Sequence, residues 1–208
     1  MSEIGLFPLG LVLFPGERVP LHIFEERYKE LIGECLDTGS EFGIVLLNSK
    51  GTRDAGTKAE VVEVLERYED GRLDIVVQGT DRFKLLDIRA ERSFLTAEIE
   101  PLEDDTPLPG NAEYESCLEK YRQVMEAAGV EFDEPEPDYR GLAFHLAVRF
   151  QMGVDVKQEL LEMRSESMRL DRVKQLLEAS AAAIRGHAIG KRASSNGKVD
   201  RIGPSRPY

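Results

Sequence analysis

The feature that most constrains the fold is a single change in the spacing of hydrophobic residues along the chain. Up to about residue 100, apolar residues form short runs or alternate with polar ones, which is the pattern of β-strands. After residue 112 they recur every three to four positions, which is the pattern of amphipathic helices. The intervening stretch, 101–112, holds three prolines and three acidic residues. An α+β protein is therefore predicted, with a β-rich part over 1–104 and a helical part over 113–185.

Local patterns predict several elements of the β-rich part. Residues 42–47 form a continuous apolar run, as expected for a strand buried on both faces. Asp70-Gly71 lies between two apolar runs and predicts a hairpin, whereas the polar segment 48–57 predicts a loop. One helix is expected among the strands. Its predicted apolar stripe consists of Phe24, Tyr28, Leu31, Ile32 and Cys35.

The helical part is predicted to contain four helices. Asp155 and Gln158 have the spacing of a capping box that would open the third, and Ser165 or Ser167 is expected to cap the fourth. Residues 186–208 are rich in Gly, Ser and Pro and show no apolar periodicity, so this tail is predicted to be disordered.

Charge limits the classes of partner. The chain has 208 residues, 27 basic and 39 acidic, and a net charge of −12. The tail contributes +4, which leaves −16 for residues 1–185. A body this acidic disfavours nucleic acids and anionic membranes, so nucleic-acid contact is expected only weakly and through the tail.

The expected location is the cytoplasm. No run approaches the roughly 20 apolar residues of a membrane helix, and the acidic, proline-interrupted N-terminus does not resemble a secretion signal. Cys35 and Cys117 do not form a disulfide framework and are expected to be small buried side chains.

No catalytic residue, metal ligand or cofactor is predicted. His22, His145 and His187 have no zinc-site spacing, and neither a phosphate-binding glycine loop nor a nucleophile elbow is present. An unrecognised hydrolase would need titratable groups converging in a cleft. His22 with Glu25 is the one pair that such a hypothesis would use.

The N-terminal motifs carry a resemblance. Three motifs occur in order: Leu6-Phe7-Pro8-Leu9, then Leu13-Phe14-Pro15-Gly16, then Pro20-Leu21-His22-Ile23-Phe24-Glu25-Glu26-Arg27-Tyr28. They are similar to the amino-terminal, substrate-binding domain of the Lon protease family. Gly79-Thr80-Asp81-Arg82-Phe83 and the helical segment 157–178 extend the resemblance over residues 4–185.

The resemblance implies a PUA-like β pseudo-barrel with one inserted helix, followed by a C-terminal helical bundle. The 208 residues contain no Walker motif and no protease domain, so a free-standing, non-enzymatic member of the family is expected. By analogy it would bind unfolded or extended polypeptide and serve as an adaptor to a protease or chaperone. The oligomeric state is left open.

Seven residues near the motifs are the candidate peptide contacts. For each apolar member the alternative is burial in the core, and for Arg82 it is a tie to backbone carbonyls. A second functional hypothesis is a small-molecule- or RNA-binding regulator, which predicts a polar, partly basic concave pocket on the β-rich part. The candidate contacts are Leu13, Phe14, His22, Phe24, Tyr28, Arg82 and Phe83.

Overall fold

A computed structural model describes residues 2–105, 107–130, 141–150 and 152–195. Six strands with one inserted helix precede four further helices. In chain order the elements are β1 (Ser2–Leu9), β2 (Arg18–Ile23), α1 (Glu26–Thr38), β3 (Phe42–Asn48), β4 (Gly51–Arg67), β5 (Leu73–Arg89), β6 (Thr96–Pro101), α2 (Asn111–Ala128), α3 (Leu142–Val148), α4 (Val154–Glu162) and α5 (Glu166–Ser195).

Five of the strands close into a ring. The sheet order is β2-β5-β4-β3-β1-β6, and β6 also pairs with β5, so β5, β4, β3, β1 and β6 form a continuous circuit. Strand β1 pairs in parallel with β3 and antiparallel with β6, where Ser2 lies opposite Ile99. Strand β2 lies outside the ring against the first half of β5. This closure confirms the predicted α+β fold with a β pseudo-barrel and one inserted helix.

The segment predicted as a loop, 48–57, is instead largely strand. Strand β4 begins at Gly51 and is 17 residues long. Its first half is paired on both sides, with Gly56 opposite Val45 of β3 and Phe83 of β5. Pairing on both sides stabilises a polar, Gly-bearing strand that its local composition does not favour.

Helix α1 has the predicted apolar stripe except at its first position. Tyr28, Leu31, Ile32 and Cys35 are buried against the sheet. The helix begins only at Glu26, after an extended Glu25, so Phe24 lies outside it and is 59% exposed. The prediction that Phe24 shares the buried stripe is wrong, because the helical spacing does not apply before the helix starts.

The helices and the barrel share one of the apolar cores. Residues of α2–α5 pack in a cluster that also contains Val12, Phe14 and Leu46 from the β-rich part. Ser165 caps α5 as expected, because its Oγ accepts a hydrogen bond from the Met168 amide at 3.4 Å. The capping box at α4 is wrong, since Gln158 is buried and donates to the Ala55 carbonyl at 3.0 Å.

The end of the described chain also differs from the prediction. Helix α5 continues to Ser195, ten residues into the segment predicted to be disordered. Its ten residues include two glycines and two serines, so local helix propensity does not account for the extension. Residues 196–208 lie outside the described residues. Among the helices that are described, none combines the length and apolarity needed to cross a membrane.

Candidate functional site

Four of the seven candidate contacts belong to the interior. Leu13, Phe14 and Phe83 are at most 1% exposed, and Tyr28 is 6% exposed. The Tyr28 ring stacks on Phe7 with centroids 4.0 Å apart. Side chains buried to this degree offer no surface to a peptide, so the structure gives these four the alternative role of core residues.

The Leu13-Phe14 segment is tied to both parts of the protein. The Thr57 hydroxyl donates to the Leu13 carbonyl at 2.6 Å, and the Glu17 carboxylate accepts from the Phe14 amide at 2.8 Å. Lys157 of α4 donates to Glu17 at 2.8 Å and lies 4.8 Å from the centre of the Phe14 ring. This motif therefore joins the barrel to α4.

Arg82 has the alternative role that the sequence suggested. Its Nη1 donates to the carbonyls of Leu161 at 2.7 Å and Met163 at 2.6 Å, and its Nη2 donates to Asp104 at 2.6 Å. Burial, together with the charge of Arg169, lowers the pKa of Arg82 from its ordinary value. An arginine stays protonated under such shifts, so Arg82 is a buried positive charge between the barrel and the helices.

His22 is accessible, but its partner differs from the one predicted. Its Nδ1 lies 2.5 Å from Asp74 Oδ1, and the Tyr68 hydroxyl donates to Asp74 Oδ2 at 2.7 Å. Glu25 instead accepts from Arg27 at 2.9 Å, so the His22–Glu25 pair is not formed. No Ser, Thr or Cys in the described part of the chain hydrogen-bonds to His22. The arrangement orients an imidazole ring without an adjacent nucleophile.

The hydrogen bonds between these side chains shift the pKa values of Asp74 and Tyr68. Those from His22 and Tyr68 lower the pKa of Asp74. In return, the hydrogen bond to Asp74 is the largest cause that raises the pKa of Tyr68, to about 12, and the nearby Glu66 adds to the effect. At neutral pH the Tyr68 hydroxyl is thus a donor held between two carboxylates.

Phe24 completes a cluster of exposed aromatic rings. It is stacked against the His22 ring, with centroids 5.9 Å apart and planes at 24°. Tyr68 meets the other side of the imidazole edge-on at 6.1 Å. Phe24 is 59% exposed, so its ring is available for contact with a partner.

His22 belongs to β2, the edge strand of the sheet, and Phe24 follows directly after that strand, whereas Tyr68 reaches the imidazole from the end of β4. The Glu17 carbonyl accepts from the Gly79 amide of β5 at 2.9 Å, so the next backbone N–H, that of Arg18, points away from the sheet. Because the direction alternates along a strand, the backbone groups of Pro20 and His22 also point outward. Pro20, which has no N–H, therefore occupies a position where the sheet loses no hydrogen bond. We call this outer backbone edge with the rings of His22, Phe24 and Tyr68 the edge-strand site.

A second surface feature is a cleft where the barrel meets α4. It encloses about 510 Å³. Arg53 crosses it and donates through Nη2 to both oxygens of Glu162, at 2.7 and 2.8 Å. The cleft is polar and partly basic, the feature that the small-molecule hypothesis predicts. Its lining is Lys50, Thr52, Arg53, Asp54, Ala55, Lys84, Leu102 and Glu162.

Neither cysteine is placed for chemistry. Cys35 and Cys117 are buried and unpaired with each other. Burial raises the pKa of both thiols, that of Cys117 to about 12. Within the described ranges, His, Cys, Asp and Glu side chains do not gather in any group of three that could hold a metal ion.

Comparison with known proteins identifies the family. The model of the ATP-dependent protease La (LON) substrate-binding domain matches residues 3–179. The chain therefore belongs to the family of Lon substrate-binding domains. It is 30% identical over 195 residues to a Lon protease of Anaeromyxobacter dehalogenans, which corresponds to 85% of this chain and 23% of that protein. It is 33% identical over 126 residues to a LON peptidase N-terminal domain and RING finger protein of Schizosaccharomyces pombe, 51% of this chain and 25% of that protein.

The chain thus spans a quarter or less of the length of these two relatives. Two solved structures match most of this chain and nearly the whole of their own chains. A Lon N-terminal domain protein from Xanthomonas campestris has a TM-score of 0.61 and 27% identity, and covers 86% of this chain and 98% of its own. The N-terminal domain of Mycobacterium avium complex Lon protease has a TM-score of 0.58 over 87% of this chain and 98% of its own, at 15% identity, which shows the fold alone.

Proposed function

We propose that this chain is a non-catalytic polypeptide-binding module that pairs an extended segment with the outer edge of β2. The observation that carries the proposal is an edge strand with outward backbone groups at Arg18, Pro20 and His22 beside the exposed Phe24. Membership of a family described as substrate-binding supports it.

The chemistry suits partners of varied sequence. Backbone hydrogen bonds to a strand edge depend little on side chains, so they can recognise any segment that is unfolded enough to extend. The Phe24 ring then gives apolar contact to one side chain of the segment. Pro20 interrupts the edge and keeps the paired length short, which favours reversible binding.

A module of this kind would act as an adaptor. It would hold polypeptide and present it to a protease or chaperone, and the expected setting is the cytoplasm. The named relatives include Lon proteases in which the matched region is only part of a longer chain. The partner that receives the polypeptide would therefore be a separate protein or a further part of the same one.

Fluorescence anisotropy with a labelled, permanently unfolded polypeptide, its cysteines blocked with iodoacetamide, tests the proposal. Saturable binding is expected with a Kd of roughly tens of micromolar. Arg18→Pro removes one outward N–H at the start of the strand and should weaken binding about fivefold or more, while Arg18→Gln removes only the charge and should retain it. Absence of saturable binding, or equal affinity in Arg18→Pro and Arg18→Gln, would overturn the proposal.

The cleft favours a second candidate function, the binding of a small anionic molecule between Lys50, Arg53 and Lys84. Citrate is a suitable probe because its carboxylates match guanidinium and ammonium donors. Amide chemical shifts around residues 50–55 should move saturably on titration in the native chain and not in Arg53→Gln. Equal shifts in the variant would exclude this site.

A further inference from the structure

The edge-strand site has features that select among extended segments. We propose that it prefers segments carrying an arginine or lysine, whose cationic group contacts the exposed Phe24 ring while the segment lies along the acidic sheet face that carries Asp74 and Glu66. This inference rests on the proposed polypeptide binding and adds to it the chemical class of the preferred partner.

The aromatic rings supply the first part of the argument. A guanidinium or ammonium group is attracted to the face of an aromatic ring. The protein already uses this interaction here, because Arg72 lies 4.8 Å from the centre of the Tyr68 ring. Phe24 is stacked on His22 through one face only, and no basic side chain of the described residues lies over its ring. That face can accept a cation from a partner.

The carboxylates supply the second part. Strand register places His22, Asp74 and Glu66 in one row across β2, β5 and β4. Asp74 already accepts from His22 and Tyr68, and a carboxylate has further lone pairs for a charged donor. Glu66 makes no ion pair within the described residues. A cationic segment beside β2 would therefore meet the Phe24 ring and, along the sheet face, this row of carboxylates.

Two β-bulges extend the negative surface. Val62 and Leu65 are extra residues in β4, so its glutamates recur every third position instead of alternating across the sheet. Glu60, Glu63 and Glu66 consequently lie opposite Gln78, Val76 and Asp74, which are alternate residues of β5 on its outer face. A segment beside β2 therefore lies along an acidic sheet face.

The basic groups near this face are few. Arg18 donates to Gln78 at 2.7 Å, and Arg72 is paired with Asp70 at the hairpin turn. Arg67 follows Glu66 directly and lies opposite Leu73, so by the alternation of side chains along a strand it belongs to the other face of the sheet. These charges leave the face with more acidic than basic groups, so it should attract cationic segments and repel acidic ones.

Three matched peptides test the inference. Each is a blocked nine-residue peptide of alternating Thr and Val whose central residue is arginine, its neutral isostere citrulline, or glutamate. Anisotropy titrations should give a Kd for the arginine peptide about fivefold lower than for the citrulline peptide, and weakest binding for glutamate. The preference should shrink as salt is raised, because these groups are exposed.

Two variants test which side chains of the edge-strand site cause the preference for arginine. Phe24→Leu keeps an apolar side chain but removes the ring, and Glu66→Gln removes one charge, so each should lower the arginine-to-citrulline ratio. Glu126→Gln, an exposed glutamate of α2, is the charge-matched control and should leave the ratio unchanged. A ratio that survives in Phe24→Leu would overturn this placement of the cation.

The outcomes separate the two proposals. If all three peptides bind the native chain with the same Kd, the cation preference is wrong and polypeptide binding stands. If no peptide binds while the unfolded polypeptide does, the preference is again wrong. If neither peptides nor unfolded polypeptide bind, the proposed function itself fails.

Discussion

Arg82 of β5 and Arg169 of α5 donate hydrogen bonds to the same two oxygens, Asp104 Oδ1 and the Met163 carbonyl. The distances are 2.6 Å from Arg82 to each oxygen and 2.7 Å from Arg169 to each. Both guanidinium groups also lie over the Phe144 ring, at 5.5 and 4.7 Å. Two buried cations are thus held close together by shared acceptors; Asp104 is the carboxylate that both share, and Glu166 accepts a further hydrogen bond from Arg169 at 2.8 Å.

Removal of that charge should destabilise the fold strongly. Asp104→Ala leaves two buried guanidinium groups without their common carboxylate, which should lower the free energy of unfolding by about 3 kcal/mol. Urea denaturation measures this change. Asp105→Ala is the neighbouring control, because Asp105 pairs with Arg164 at the surface and its loss should cost less than about 1 kcal/mol. Equal losses in the two variants would contradict the role of Asp104.

The same carboxylate predicts a dependence on pH. Burial opposes its ionisation, but the hydrogen bonds and charges of Arg169 and Arg82 prevail and lower the pKa of Asp104 below 3.8. A group whose pKa is lower in the folded state stabilises the fold above its unfolded pKa and loses this effect as the pH falls through the folded value.

The stability difference between the native chain and Asp104→Asn should accordingly be full at neutral pH and constant down to about pH 5. It should shrink below about pH 4, where the carboxyl of the unfolded chain begins to take up a proton, and be lost once the carboxyl of the folded state is protonated too. Urea titrations of both proteins across this range measure the difference. A gap that persists unchanged at about pH 2, in proteins still folded there, would mean that ionised Asp104 is not its source.

Gly79 should not tolerate a side chain. A Cβ there would lie 2.3 Å from the Phe14 carbonyl oxygen, in the place where the Leu13-Phe14 segment crosses β5. Gly79→Ala should therefore lower the free energy of unfolding by about 2 kcal/mol or more. Gly33, inside α1, has no atom within 4 Å of an added Cβ, so Gly33→Ala should raise stability by about 0.5 to 1 kcal/mol. Thermal or urea unfolding distinguishes the opposite signs.

Among the seven candidate contacts, Phe24 is an exposed side chain and Phe83 is a core side chain, so substitutions at the two positions should have opposite effects. Phe83→Leu should cost about 1 kcal/mol of stability and leave affinity for unfolded polypeptide unchanged in the folded protein. Phe24→Ala should leave stability within about 0.5 kcal/mol and weaken polypeptide binding. Unfolding curves and anisotropy on the same samples measure both. A binding loss confined to Phe83→Leu would reverse the assignment.

Local sequence patterns predict helices and strands more reliably than they predict which strands pair with each other. The change of period near residue 101 and the covered strand at Phe42 are both confirmed, because each depends on neighbouring residues. The start of β4 could not be predicted, since its polar residues are stabilised by strands far away in sequence. Phe24 was misplaced because a stripe of matching residues does not mark where the helix begins.

The candidate site shows the same limit. His22 and Phe24 could be named from the N-terminal motifs and remain accessible. Asp74 lies 52 residues from His22, and only the register of β2 on β5 brings them together. Tyr68 and Glu66 likewise reach the site through the β4–β5 hairpin and its bulges. Their presence would have required knowledge of the strand register, which a single sequence does not provide.

Closure of the ring also sets an order of events during synthesis. Strand β1 is translated before both of its neighbours, β3 and β6, and Ser2 cannot meet Ile99 until residue 99 has been made. The buried pair of Arg82 and Asp104 needs Arg169, which is made later still. A nascent chain therefore carries β1 with one side unpaired until β6 has been made. It should depend on early chaperone contact more than its small size suggests.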